Sequence, residues 1–125
     1  MPSVLVVDDE PYITEIVSFY LGQRGFEVEV LNDTRRVMEV LSRRPFDVLI
    51  LDHMMPHILG MDLAEQLRRD PRFAALPILL LTGKVITLED RERCLRAHVL
   101  IHAKPFTSGG LFEKVSQMME RSPWH

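Results

Sequence analysis

Short apolar runs alternate along this chain with longer segments in which apolar residues recur every three or four positions. This alternation is typical of βαβ units around a parallel sheet. Five strand–helix pairs fit within the 125 residues, a length suited to one domain. Right-handed crossovers leave few ways to connect such pairs, and doubly wound arrangements place a crevice at the carboxyl ends of the strands. The sequence therefore predicts an α/β fold built on five parallel strands.

Local signals place several of these elements. The first strand is predicted at residues 4–7, where consecutive apolar side chains suit a central strand covered on both faces. The second, at residues 26–31, alternates polar and apolar side chains and suits a sheet edge. Pro11 fits the first turn of a helix, and Thr34 is expected to cap the helix that follows the second strand. A charged segment from about residue 87 to residue 97 predicts the fourth helix.

Four of the apolar runs end in side chains that are able to bind a phosphate group or a cation. These side chains are Asp8 and Asp9 after the first run, Asp52 after the third, Thr82 after the fourth and Lys104 after the fifth. Because the carboxyl ends of parallel strands meet at one edge of a sheet, we expect these side chains to share a pocket. Three carboxylates, a hydroxyl and an ammonium in one pocket would be able to bind a divalent cation and accept a phosphoryl group.

Composition and charge narrow the function classes. The formal net charge is -3 with acidic and basic residues interspersed, so direct nucleic-acid binding is not expected. Cys94 is the only cysteine, and the chain has neither a signal-like segment nor an apolar stretch of transmembrane length. These features favour a cytoplasmic, soluble protein without a membrane contact. We expect one domain over residues 1–121, with residues 122–125 as a C-terminal tail or the start of a linker.

The polar strand ends belong to longer motifs, each of them weak alone. They are Asp8-Asp9, Asp52 followed by Met55, Pro56 and Gly60 in a DxxMPxxxG pattern, Thr82-Gly83, and Lys104-Pro105-Phe106. In this order and spacing they are specific, and the chain resembles the receiver domain of two-component response regulators over nearly its whole length. The resemblance implies a flavodoxin-like (βα)5 fold, doubly wound, with a five-stranded parallel sheet of order 2-1-3-4-5.

By this resemblance Asp52 is the phosphoacceptor, a carboxylate that attacks the phosphorus of a phosphohistidine. The donor would be a sensor histidine kinase or a histidine phosphotransfer protein. Lys104 would give a positive charge to the phosphoryl oxygens and Thr82 would donate a hydroxyl hydrogen bond to them. In this family the bond between Lys104 and Pro105 is usually cis, and we expect the same here.

The resemblance also implies a metal site. Asp8, Asp9 and Asp52, together with the backbone carbonyl of Met54, would hold Mg²⁺, and Mn²⁺ would also be accepted. Mg²⁺ prefers a few carboxylates and keeps several waters for the remaining positions, so a sparse acidic cluster suits it. Without the ion, three neighbouring carboxylates would repel one another and raise the pKa of at least one of them.

The leading function is therefore a phosphorylation-controlled switch that changes protein contacts, and not an enzyme that turns over a separate substrate. Its output would be a downstream protein or an attached output domain. Two alternatives remain. A receiver-like binding module that acts without phosphorylation is disfavoured by the full set of acids with Thr82 and Lys104. A Mg²⁺-dependent phosphohydrolase of the haloacid dehalogenase type would need a second Asp two residues after Asp52, where this chain has Met54.

Two departures from the family pattern bear on signalling. Ile101 stands where family members usually have an aromatic residue, three positions before the lysine. The usual aromatic switch therefore cannot operate in its common form. The stretch at residues 97–100 is unusually apolar, with Val99 and Leu100. We expect the face formed by the fourth helix, the fifth strand and the last helix to contact another protein or a second copy of the chain in a homodimer.

Histidine pairs offer a competing metal site, which the sequence disfavours. His53 and His57 are four residues apart, but Pro56 between them prevents helical presentation of both rings. His98 and His102 would share one face of a strand, and we expect them to be structural or exposed.

Overall fold

All five predicted strands form, and they pair in parallel to make one sheet. The computed structural model describes residues 1–121. The strands are β1 (Ser3–Val7), β2 (Glu27–Leu31), β3 (Val48–Asp52), β4 (Ile78–Thr82) and β5 (Val99–Ala103). Their order in the sheet is β2-β1-β3-β4-β5. The predicted fold class and strand order are thus confirmed, and the predicted tail at residues 122–125 lies outside the described residues.

Helices cover both faces of the sheet. They are α1 (Pro11–Gly22), α2 (Val37–Arg43), α3 (Gly60–Arg69), α4 (Leu88–Arg96) and α5 (Ser108–Arg121), with short 3₁₀ turns at Thr34–Arg36 and Pro71–Phe73. Pro11 is the first residue of α1, where a missing N–H costs no hydrogen bond. Thr87 caps α4 by accepting a hydrogen bond from the backbone N–H of Asp90 at 3.1 Å. Both helix starts agree with the sequence signals.

The expected cap at Thr34 was wrong. Asp33 is the capping residue, and its side chain accepts a hydrogen bond from the backbone N–H of Arg35 at 3.1 Å. Thr34 is instead the buried first residue of the 3₁₀ turn that leads into α2. The short aspartate side chain reaches an N–H two residues ahead, so it begins the turn one position earlier than expected.

Side chains of the central strands divide the core into two layers. Every position of β1, β3 and β4 is buried, and successive side chains point to opposite faces of the sheet. Leu49 and Leu51 pack with apolar residues of α2, α3 and α4, whereas Val48 and Ile50 pack with those of α1 and α5. Burial on both faces explains why these strands are continuous apolar runs.

Strand register brings the polar strand ends to one edge. Asp52, the last residue of β3, pairs with Leu81, and Thr82, the last residue of β4, pairs with Ala103. The backbone N–H of Lys104 donates to the carbonyl of Thr82 at 2.8 Å, which extends the ladder by one residue beyond β5. Thr82 therefore lies one residue beyond Asp52, and Lys104 one residue beyond Thr82, at the same edge of the sheet.

The same alternation corrects the expectation for residues 97–100. Val99 points into the core and is only 4% exposed, and Ala97 is also buried. Of the two residues Val99 and Leu100, only Leu100 reaches the surface, because neighbouring strand residues face opposite sides. More of the exposed apolar surface in this region comes from Leu88 and Leu95 of α4, which are 73% and 75% exposed.

Two arginines tie α3 to α4. Arg93 of α4 contacts Asp62 of α3 at 2.6 Å and Glu65 at 2.5 Å. In the opposite direction, Arg68 of α3 donates to the carbonyl of Ala97 at 2.6 Å, just after the last turn of α4. Burial lowers the pKa of Arg68 to about 10, so the guanidinium remains charged at neutral pH and suits the negative end of the helix.

Among residues 1–121, no helix has both the length and the apolar character needed to cross a membrane.

Gly60 allows α3 to begin directly against β3. A Cβ atom at this position would lie 2.4 Å from the carbonyl oxygen of Asp52 and 2.7 Å from Cδ1 of Leu80. The first of these atoms belongs to the backbone, so it cannot move aside cheaply. The glycine of the DxxMPxxxG pattern is therefore required by the close approach of helix and strand.

Replacing Gly60 with alanine should destabilise the fold by about 1 to 3 kcal/mol, the usual cost of forcing extra atoms into a packed interior. Urea denaturation would measure this loss. Gly22→Ala is the matched control, because an added Cβ there meets nothing within 4 Å. Alanine is also the better helix former, so the control should be neutral or slightly stabilising. Equal stability of Gly60→Ala and wild type would contradict the packing argument.

Candidate functional site

Four strand ends at the carboxyl edge of the sheet bring the predicted site residues together. One ligand oxygen from each of Asp8, Asp9 and Asp52 lies within 4.8 Å of the other two. Nζ of Lys104 lies 2.5 Å from Oδ1 of Asp52 and 3.4 Å from Oδ2 of Asp8. Asp52 thus lies close to two acids that precede it by more than forty positions in the sequence, and two of the three acids contact one ammonium.

Asp8 is the most enclosed of the three acids, with 1% of its surface exposed. Its Oδ1 accepts a hydrogen bond from the backbone N–H of Glu10 at 3.0 Å. Burial raises the pKa of Asp8 to about 6, and repulsion from Asp52 acts in the same direction, while Glu10 and Lys104 oppose the rise. The charged form of Asp8 is therefore under-stabilised by the protein alone.

Lys104 is held in its charged form by the acids. Burial by itself lowers the pKa of Lys104, but the hydrogen bond and attraction to Asp52, aided by Asp8, outweigh burial and raise it. The peptide bond between Lys104 and Pro105 is cis, which confirms the expectation from the family resemblance. The site therefore contains a permanent positive charge beside Asp52.

Thr82 lies buried at the end of β4, next in line after Leu81, the register partner of Asp52. Its Oγ1 accepts a hydrogen bond from the backbone N–H of Lys84 at 3.1 Å. This bond uses the oxygen as an acceptor and leaves the hydroxyl proton for a different partner. Thr82 is thus placed to donate a hydrogen bond toward a group bound at the sheet edge.

The residues that follow Asp52 have separate environments. The Met54 side chain is about half exposed, and its proposed contribution as a carbonyl ligand stays a prediction. Met55 and Met61 are buried in the core. His53 is also buried, and its Nδ1 has no hydrogen-bond partner. Within residues 1–121, Asp8, Asp9 and Asp52 are the only group of three or more His, Cys, Asp or Glu residues arranged to hold a metal ion.

The donor set fits a small divalent cation. All three side chains supply carboxylate oxygens, the ligands that Mg²⁺ and Mn²⁺ accept, and the exposed Asp9 leaves room for water. Lys104 neutralises one of three negative charges, so a net negative charge remains in the pocket. A divalent cation would balance that charge and relieve the repulsion that Asp8 experiences.

Asn32 was not identified as a site residue by the sequence. Its Nδ2 donates to the backbone carbonyl of Asp8 at 2.8 Å and to Oγ1 of Thr14 at 3.0 Å. An asparagine after a strand is most often a turn residue, and nothing in its spacing connects it to an aspartate 24 positions earlier. The fold alone creates this contact.

A family model described as the response regulator receiver domain matches residues 4–116. The chain belongs to this family. Receiver domains act in two-component signalling as phosphoryl acceptors, and this is the function class of the chain. The function class inferred from the motifs is therefore confirmed.

Curated relatives include longer transcriptional regulators. The receiver domain is 33% identical over 124 residues to the phosphate regulon regulatory protein PhoB of Rhizobium meliloti, covering 98% of this chain and 54% of that protein. It is 39% identical over 95 residues to the probable transcriptional regulatory protein TcrX of Mycobacterium tuberculosis, covering 76% of this chain and 39% of the relative. The chain thus matches about half, or less, of the length of these two relatives.

Solved structures show the same architecture. The chemotaxis protein CheY4 of Vibrio cholerae has a TM-score of 0.86 with 29% identity, covering 94% of this chain and 98% of its own. A putative response regulator from Chloroflexus aurantiacus has a TM-score of 0.86 with 28% identity, covering 97% of the receiver domain and 100% of its own chain.

Asp8→Asn should stabilise the protein at neutral pH when no divalent cation is present. Because folding raises the pKa of Asp8 from 3.8 to about 6, the folded state holds the proton more tightly than the unfolded state. Stability is therefore lost as pH rises through this window, by about 1 to 3 kcal/mol for a shift of this size. The asparagine variant avoids this loss.

Urea denaturation between pH 4 and pH 7.5 would measure the effect. The advantage of Asp8→Asn should vanish toward pH 4 and should shrink when Mg²⁺ stabilises the wild type. Asp9→Asn is the control, since Asp9 is exposed and its replacement should change stability much less. A variant that is less stable than wild type at neutral pH would show that Asp8 is not strained by its burial.

Proposed function

We propose that this receiver domain accepts a phosphoryl group on Asp52 from a phosphohistidine of a sensor histidine kinase or a histidine phosphotransfer protein. The observation that carries the proposal is the contact of Lys104 with Asp52 at 2.5 Å, beside the acidic cluster. A carboxylate at this position is both a nucleophile and next to the positive charge that phosphoryl oxygens need.

In the proposed reaction a carboxylate oxygen of Asp52 attacks the phosphorus. The P–N bond to the donor histidine breaks, and the imidazole nitrogen leaves with the electron pair and takes up a proton. The ammonium of Lys104 shifts from Asp52 to the phosphoryl oxygens, and the hydroxyl of Thr82 donates a hydrogen bond to one of them. Both interactions strengthen as charge develops on the transferring group, which is the main contribution a protein makes to phosphoryl transfer.

The proposal includes a divalent cation bound by Asp8, Asp9, Asp52 and the backbone carbonyl of Met54. Mg²⁺, or Mn²⁺ in its place, would supply positive charge that offsets the oxygens of the acids and of the phosphoryl group. The raised pKa of Asp8 and the closeness of three carboxylate oxygens support this part of the proposal. A cytoplasmic location belongs to the same proposal.

The site favours a switch over the two alternatives. A binding module without phosphorylation would have no need for Lys104 within reach of two buried acids, since paired buried charges contribute little net stability. A phosphohydrolase needs a proton donor near the leaving group, and Met54 has none. We therefore propose a phosphoacceptor that does not turn over separate substrates.

We also propose that the face of α4 and β5 contacts the output partner. Leu88 and Leu95 are largely exposed there, and Leu100 of β5 is also partly exposed. The first turn of α4 is acidic and its last turn is basic. Two antiparallel copies of α4 would set each acidic turn against a basic one, which favours a second copy of the chain over a downstream protein or an attached output domain.

Labelling with acetyl phosphate and Mg²⁺ tests the phosphoacceptor. Intact-mass analysis should show one added phosphoryl group on the wild type and none on Asp52→Asn. Asp47→Asn is the matched control, because Asp47 precedes the opposite end of the same strand, and it should be labelled normally. Labelling that persists in Asp52→Asn, or is absent from the wild type at saturating Mg²⁺, would contradict the proposal.

Light scattering of the phosphorylated protein tests the α4 face. Leu95→Asp should abolish self-association while leaving labelling intact, since the aspartate adds charge to an exposed apolar surface. Val99 is unsuitable for this test because it lies in the core. Val30→Asp, at an exposed position of β2, is the control. A phosphorylated wild type that stays monomeric at high protein concentration would exclude the second copy as the partner.

A further inference from the structure

Asn32 links the acidic loop to α1. It follows β2 and its side-chain amide donates two hydrogen bonds, one to the backbone carbonyl of Asp8 at 2.8 Å and one to Oγ1 of Thr14 at 3.0 Å. An amide nitrogen carries two protons, so both bonds form at once. A single side chain therefore holds the segment after β1 and the first turns of α1 at a fixed separation.

The partner in α1 is itself fixed. Thr14 is completely buried, and its hydroxyl donates to the carbonyl of Pro11 at 3.0 Å. Because this bond uses the only hydroxyl proton, the oxygen is left as an acceptor for Asn32. The orientation of the Thr14 hydroxyl is thus determined from both sides, and Asn32 donates to an acceptor that cannot turn away.

Both backbone polar groups of Asp8, its N–H and its carbonyl, form hydrogen bonds. Its N–H donates to the carbonyl of Leu31 at 3.2 Å, and its own carbonyl accepts from Asn32. These two bonds connect consecutive residues of the β2 end to one residue of the acidic loop. The carboxylates of Asp8 and Asp9 extend from this loop toward Asp52, so their positions depend on where the loop backbone lies.

We propose that Asn32 is a positioning residue for the cation site, which fixes the backbone of Asp8 so that Asp8 and Asp9 are preorganised to bind a divalent ion. The consequence for phosphorylation rests on the function proposed above, whereas the consequence for cation binding does not. Ligands that must be ordered on binding lose affinity, and a neighbour that orders them beforehand restores it.

Other residues at position 32 would not serve in this way. Alanine removes the donor and leaves the carbonyl of Asp8 and the hydroxyl of Thr14 without it. Aspartate has a similar shape but only accepts hydrogen bonds when ionised, and it adds a negative charge near three others. Since Asn32 is an exposed residue overall, its replacement should not disturb the core.

Thermal unfolding of Asn32→Ala at increasing Mg²⁺ concentration tests the inference without any phosphorylation. A cation that binds only the folded state raises the melting temperature with its occupancy. We expect Asn32→Ala to need about tenfold more Mg²⁺ for the same rise, the usual lower limit for losing a residue that orients metal ligands. The melting temperature without Mg²⁺ should fall because two hydrogen bonds are lost, so the rise is measured from each variant's own cation-free value.

Further variants separate positioning from general damage. Thr14→Ser keeps the hydroxyl and should retain the wild-type Mg²⁺ requirement, whereas Thr14→Val should share the defect of Asn32→Ala. Gln66→Ala is the matched control, an exposed amide on α3. Labelling by acetyl phosphate should show a raised Mg²⁺ requirement for Asn32→Ala but a near-normal maximal rate once Mg²⁺ saturates.

An unchanged Mg²⁺ requirement for Asn32→Ala in the thermal measurement overturns the proposal, and so does an equal change in Gln66→Ala. If the wild type binds Mg²⁺ but takes up no phosphoryl group, the proposed function fails while the role of Asn32 is still decided by the thermal measurement.

Discussion

The contact of one ammonium with two buried carboxylates is the interaction on which the sheet edge depends. Lys104 faces Asp52 and Asp8, whose side chains are almost completely buried, so each carboxylate needs a partner. One ammonium cannot balance the charge of three acids, and the excess negative charge favours the binding of a cation, which would in turn offset the negative charge of a phosphoryl group. The surrounding fold holds these negative charges close together at an energetic cost, which a bound cation would relieve.

Much of this arrangement can be predicted from the sequence, because it follows from local patterns. The buried strands are continuous apolar runs, and each site residue is the polar group that ends such a run. Parallel pairing with regular register then places Asp52, Thr82 and Lys104 at the same edge of the sheet, each one residue further along than the one before, without further information. The order of the strands came from the family resemblance, since the apolar pattern alone does not choose among doubly wound sheets.

What the sequence could not supply depends on tertiary contacts. Asn32 donates a hydrogen bond to Asp8, 24 positions earlier in the chain. In the sequence, an asparagine after a strand indicates only a turn. The burial of Val99 required knowing the phase of β5, because a short apolar run does not show which residues face the core. Asp33 and Thr34 are both good caps, and only the 3₁₀ turn decided between them. In each case the local sequence allowed two conformations or roles equally well, and the packing of distant residues selected one of them.

Arg68 of α3 contacts the end of α4, and Arg93 of α4 contacts α3. These reciprocal contacts affect how the molecule transmits a signal. Any displacement of α4 by itself would separate the guanidinium of Arg68 from the carbonyls of Ala97 and His98, so a partly buried charge would lose two hydrogen bonds. The two helices should consequently shift together as a rigid pair. Gly60 begins this pair in contact with the backbone of Asp52. A small tilt at that end would be carried along α3 to the leucines of α4, without any need for an aromatic ring at position 101.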